Sequence, residues 1–167
     1  GKLRDNDIKN KGQGAPIGAY YHKYILNKFK NKSIIINLGG IANFTAIHNN
    51  IVYSSDIGPA NCIIDDLCSY FFKKNFDRNG YFASKGKPVN KILNRFKKYK
   101  FFKMKFPKSL DRYYFSKYHN QLIKMDKNDA LCTATYMILI GFEKLIMMKK
   151  FEFDKIILTG GGRKNNF

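Results

Sequence analysis

The stretch Asn37 to Asp66, NLGGIANFTAIHNNIVYSSDIGPANCIIDD, constrains the fold more than any other part of the chain, together with the run Ser33-Ile34-Ile35-Ile36 that feeds it. A β-branched run this short reads as a buried strand, and Gly39-Gly40 then lets the chain bend or bulge. Ile41 to Ile47 follows as a second strand, and His48-Asn49-Asn50 is a compact polar turn of the kind that joins antiparallel neighbours. Ile51 to Ser55 is a third strand. The period then changes. From Pro59 onward Ile63, Ile64, Leu67, Tyr70 and Phe71 recur at three- and four-residue spacing, which predicts an amphipathic helix with Pro59 near its first turn, where a missing N–H is harmless. Asp56 is therefore expected between a strand end and a helix N-terminus.

A carboxylate at that place has two readings. Gly58 permits close backbone approach, and the unpaired N–H groups of a helix start favour negative charge, from Asp56 itself or from a bound phosphate. The alternative is that Asp56 only caps the helix.

Elsewhere the pattern is that of a helical and strand-bearing chain. Ile17 to Phe29, Lys85 to Tyr99 and Asp129 to Lys150 have helical spacing. The last is the longest, with Ala130, Ala134, Met137, Ile138, Gly141 and Leu145 on its inner face and Met147-Met148 expected in the core. Phe76 to Gly80 and Pro107 to Asp111 read as loops. Ile156-Ile157-Leu158 reads as a buried strand running into Thr159-Gly160-Gly161-Gly162, whose glycines let backbone N–H groups approach a nucleotide. Alone, this glycine run is a weak signal, because it has neither the P-loop spacing nor the Rossmann fingerprint.

Taken in order, these segments resemble a known family. NLGGIANFT and SDIGPANCIIDD resemble the Asn-Ile-Gly-Gly-Ile-Ala-Asn and Asp-Thr-Gly-Pro-Gly-Asn motifs of the anhydro-N-acetylmuramic acid kinases, bacterial sugar kinases of the actin-like ATPase superfamily. Gly12-Gln13-Gly14-Ala15-Pro16, Phe76-Asp77-Arg78-Asn79-Gly80 with Lys85-Gly86-Lys87, Pro107-Lys108-Ser109 with Arg112, and Thr159 to Asn165 are similar to further family segments in the same order. The resemblance implies an α/β chain with the actin-like (ribonuclease H-like) sugar kinase fold. It opens on an antiparallel meander, after which helices alternate with strands. Residues 1–30 would be the end of a first lobe and hinge, and 31–167 a second lobe incomplete at its C-terminus. It also implies ATP-dependent phosphorylation of 1,6-anhydro-N-acetylmuramic acid with hydrolytic opening of the anhydro ring, in cell-wall recycling.

The same resemblance implies the site. Asp56 would be the general base; Arg4, Asn37, Asn61 and Arg112 would bind the sugar; Gly160, Gly161 and Gly162 would face the adenosine of ATP, with Mg²⁺ as the accompanying ion and no protein metal site. The chain departs from the family at Lys2 and Leu3, and at Leu110-Asp111 and Tyr113, where Thr-Gly and Glu are usual. These departures bear on Arg4 and on Lys108, Ser109 and Arg112, for which a solvated arginine and a basic surface turn are the alternatives. No Ser-Gly-Thr-Ser-x-Asp-Gly phosphate loop and no Gly-Asp-x-x-Glu-Ala segment occurs. The chain is thus expected to be a fragment without turnover of its own, and a non-catalytic remnant stays open as an alternative.

A net charge of +19, from 31 Lys+Arg against 12 Asp+Glu, raises the question of nucleic acid, and Arg95 to Lys103 interleaves lysines with aromatics that could stack on bases. The excess lies in Lys, Asn, Ile, Phe and Tyr together and spreads along the chain, as codon bias would produce. No specific nucleic-acid partner is expected, and a basic binding module remains the alternative. Cys62, Cys68 and Cys132 form no CxxC pair and read as cytoplasmic thiols; His22, His48 and His119 show no metal-ligand spacing. No apolar run reaches membrane-spanning length, so no membrane partner is expected, while a homodimer is left open.

Overall fold

A computed structural model describes residues 9, 19–29, 33–148 and 151–167, so Arg4, the Gly12 to Pro16 turn and the start of the Ile17 helix lie outside the described residues. The helix that precedes the sheet is α1 (Ala19–Lys28). The meander follows as β1 (Ser33–Leu38), β2 (Ile41–His48) and β3 (Ile51–Pro59). The β2–β3 turn is tight because Asn49 and Asn50 both adopt positive φ, at 49° and 62°, the conformation that asparagine tolerates and that matches strand twist. Then come α2 (Asn61–Phe72), α3 (Asn90–Lys97), α4 (Ser116–Leu122), α5 (Lys127–Met147) and β4 (Lys155–Thr159).

The strands form one mixed sheet in the order β3-β2-β1-β4. β1 pairs antiparallel with β2 and parallel with β4, and β2 pairs antiparallel with β3. The antiparallel meander is as expected. Among the described residues no strand interrupts the helices between β3 and β4, so the expected alternation after the meander is not found.

Period two divides the sheet between two layers. Ile34, Ile36, Leu38, Ala42, Phe44 and Ala46 pack with Leu145 of α5, while Ile35 and Ile47 face Leu26 of α1. A larger core joins α2, α3, α4 and α5 through Leu67, Phe96, Phe101, Phe115, Leu122 and Met137. Contrary to the expectation that no apolar run reaches spanning length, α5 has the length and apolar character of a membrane span, but more than half of its most apolar stretch is buried in the fold.

Four local expectations need correction. Pro59 ends β3, and α2 begins only at Asn61 behind Ala60. Residues 85–89 are not part of α3, which starts at Asn90, because Pro88 forbids the helix upstream of it. Met147 is exposed, and only Met148 packs against the core. β4 is an edge strand with Ile156 and Leu158 at 45% and 42% exposure, since no described element covers its outer flank.

Candidate functional site

Asp56 lies inside β3, not beyond its end. The register runs Asn43↔Asp56 and then Ala42↔Gly58, so Ile57 is an extra residue in a β-bulge. Its effect is to re-aim side chains. Ile57 joins the α5-side core, whereas Asp56 shares the opposite face with its cross-strand partner Asn43. Gly58 serves close approach as expected, although its neighbour is Gly141 of α5 and not a ligand.

The Pro107 loop runs along the edge of β3 and holds this residue. Asp56 N–H donates to Lys108 O at 2.9 Å, Ser55 Oγ accepts from Lys108 N–H at 2.8 Å, and Leu110 N–H donates to Asp56 Oδ2 at 2.7 Å. Asp56 is 5% exposed. Because Leu110 acts through its backbone, the departure from the family's residue type there leaves the donor in place. The surface-turn reading fails for Lys108, which is also 5% exposed. Its ammonium lies over the Phe101 and Phe106 rings at 3.9 and 4.5 Å and donates to Phe101 O at 2.9 Å. Burial lowers its pKa to about 8.

The strap continues to α2. Asp111 caps the next turn by accepting from Tyr113 N–H, and Arg112 pairs with Asp66 at 2.6 Å on the surface. Arg112 is thus placed against α2 and engaged by a carboxylate. Next to this pair, burial first and Asp66 second raise the pKa of Asp65 to about 6, with Arg112 opposing.

At the other edge of the sheet, Asn37, Asn61 and the glycine loop come together. Asn37 Oδ1 accepts from Thr159 Oγ1 at 3.3 Å, and Asn61 Nδ2 donates to Leu38 O at 3.1 Å. Gly160 takes φ +82°, and a Cβ there would strike Leu38 and Asn37; one on Gly162 would meet Leu38 and Asn61. These positions are confined to glycine by close packing. Gly161 and Gly162 line a cleft of about 490 Å³ with Asn61, Asp65, Asp77 and Asn165, in the size range of small-molecule sites.

The two edges are linked by register. Asp56 pairs with Asn43, Asn43 with Asn37, and Asn37 with Thr159, so one polar row crosses all four strands. Three strand gaps put Asp56 about 14 Å from Thr159. Asn43 and Asp65 are not singled out as site residues from sequence, and Lys108 is weighed there only as a sugar or phosphate contact against a basic surface turn. All three stand inside segments already quoted, but the raised pKa of Asp65 depends on burial and on Arg112, which no local pattern records.

The sequence model of one family, described as Anhydro-N-acetylmuramic acid kinase, matches residues 1–167. Curated relatives named anhydro-N-acetylmuramic acid kinase are 34% identical to the chain: that of the gamma-proteobacterium EBAC31A08 over 168 residues, and those of Legionella pneumophila strain Paris and Clostridioides difficile strain 630 over 170 and 177. The match covers 98–99% of this chain and 46% of each relative, so the chain spans about half the length of the curated relatives it matches.

Proposed function

We propose, for a chain that belongs to the anhydro-N-acetylmuramic acid kinase family, that it carries the base and the adenosine-side loop of an ATP-dependent kinase acting on 1,6-anhydro-N-acetylmuramic acid. Residues 31–167 are read as second-lobe sequence, and the activity is assigned to the full-length gene product. The observation that carries this reading is Asp56, a buried carboxylate aimed by a bulge and fixed by the Leu110 N–H.

In the reaction, Asp56 takes a proton from water as the water oxygen bonds to the anomeric carbon. The bond from that carbon to the bridging 6-oxygen breaks, and its electron pair stays on oxygen. That oxygen takes the γ-phosphoryl group as the bond to ADP breaks, giving N-acetylmuramic acid 6-phosphate and leaving the proton to pass from Asp56 to solvent. A positioned carboxylate of this kind contributes about 10²–10⁴-fold.

Asn37 and Asn61 support the glycine loop in this reading, and Asn61 also faces the cleft that would take adenosine. Arg112 would reach an anionic or hydroxyl group of the sugar only by releasing Asp66. Mg²⁺ would be held through the nucleotide phosphates. Use of ATP and three buried free thiols support a cytoplasmic setting.

The test is sugar-dependent ATP turnover by the full-length gene product. Asp56→Asn is expected to reduce it by at least about 10²-fold, with the thermal midpoint nearly unchanged. Retained turnover would refute the base assignment.

A further inference from the structure

The Asn43 carboxamide is unaccounted for by the architecture. Asn43 is 9% exposed, and its Oδ1 is buried without a hydrogen-bond partner among the described residues. A buried acceptor left unpaired is destabilising, and one kept beside a candidate catalytic group points to a donor supplied from outside the fold. The other atom of this kind among the described residues, Ser33 Oγ, lies at the start of β1, while the neighbours Asn37 and Thr45 are satisfied. Asn37 accepts from Thr159, and Thr45 bonds both His22 and Ser54. Asn43 is therefore set apart from these two engaged neighbours, and it stands opposite Asp56.

Its position narrows what the donor is. Asn43 is the direct cross-strand partner of Asp56 at the bulge, and both side chains lie on the face away from α5. Opposite residues of an antiparallel pair hold their Cβ atoms about 4.5–5.5 Å apart. Two acceptor oxygens on such a pair are spanned by one water, which sits about 2.8 Å from each.

We infer that Asn43 is a second residue of the hydrolytic step, accepting one O–H of the water whose other O–H is taken by Asp56. The inference rests on the assignment of Asp56 as base. Asn43 fixes the remaining hydrogen, so that a lone pair of the water oxygen points at the anomeric carbon when the proton passes to Asp56. Bond changes are those of the reaction above: Asn43 forms and breaks none and gains no proton. The role is specific to a kinase that opens a ring with water, because a kinase acting on a free hydroxyl has no water to orient.

The experiment uses the full-length gene product and the variants Asn43→Ala, Asn43→Leu and Asp56→Asn, with initial rates against sugar and ATP and a thermal midpoint for each. The expected result is a fall in kcat of roughly tenfold to hundredfold for Asn43→Ala, of the size seen when one preorganised polar contact is removed, with the KM for ATP unchanged. Asn43→Leu, which removes the orphan at similar volume, is expected to keep or raise the midpoint. Wild-type kcat in Asn43→Ala beside an inactive Asp56→Asn would overturn the role of Asn43 and leave the base assignment standing. Turnover in Asp56→Asn would overturn both. A midpoint lowered by several degrees in Asn43→Leu would mark the carboxamide as a structural partner and overturn the inference whatever the rates.

Discussion

Asp56 and Lys108 show how single residues are conditioned by backbone. The carboxylate is fixed by the amide of Leu110, and the amide of Asp56 in turn donates to Lys108 O, so both ends depend on where the strap lies. Lys108 secures the strap by burying an ammonium against two rings and the Phe101 carbonyl. That placement has a pH signature. With the folded pKa lowered to about 8 and an unfolded value near the usual 10.4, the unfolded chain binds more protons between these limits, and stability rises with pH through that window. Burial of the charged form thus costs on the order of 3 kcal/mol at neutral pH, and the cost fades by about pH 10.5. Urea unfolding of the wild type and Lys108→Met from pH 7 to 10.5 should show the wild type gaining on the variant as pH rises; parallel curves would contradict it.

Elements are held together here by close backbone approach as well as by side chains. Gly141 of α5 lies against Ile57 and Gly58 at the bulge, so the longest helix supports the segment that aims Asp56. Gly86 does the same for the segment before α3. A Cβ on it would overlap the backbone of Asn128 and Asp129 in the first turn of α5, where Lys87 N–H also donates to Asp129 Oδ1 at 2.7 Å. Gly86→Ala must therefore shift α5 or the segment. It is expected to cost about 1–3 kcal/mol, as overpacking does, read as a lowered urea midpoint at constant slope. An unchanged midpoint would mean that the contact is slack.

At the scale of the whole molecule the charge is unbalanced. Only two ion pairs, Lys97–Glu143 and Arg112–Asp66, occur among the described residues of a chain with a net charge of +19. Self-repulsion then opposes compaction, and screening relieves it. The thermal midpoint should rise by several degrees between about 10 mM and 300 mM sodium chloride, where the Debye length falls below about 10 Å. A falling midpoint would show that favourable pairing outweighs repulsion. The thiols follow the opposite logic: burial raises all three cysteines, Cys68 to about 12, so they are unreactive in the fold.

Local chemistry by itself determined the meander, the Asn49-Asn50 turn, the α2 and α5 periods and the glycine loop, because strand period, turn conformation and helix spacing depend on neighbours in sequence. The ordered motifs likewise determined the family and singled out Asp56. Tertiary structure decided the rest. Whether β3 stops at Ser55 or carries Asp56 through a bulge depends on pairing with β2. Whether Lys108 is a surface charge depends on Phe101 and Phe106 closing over it, and whether Ile156 and Leu158 are buried depends on what lies beside β4. Those outcomes are set by contacts between residues far apart in the chain, which no local period records.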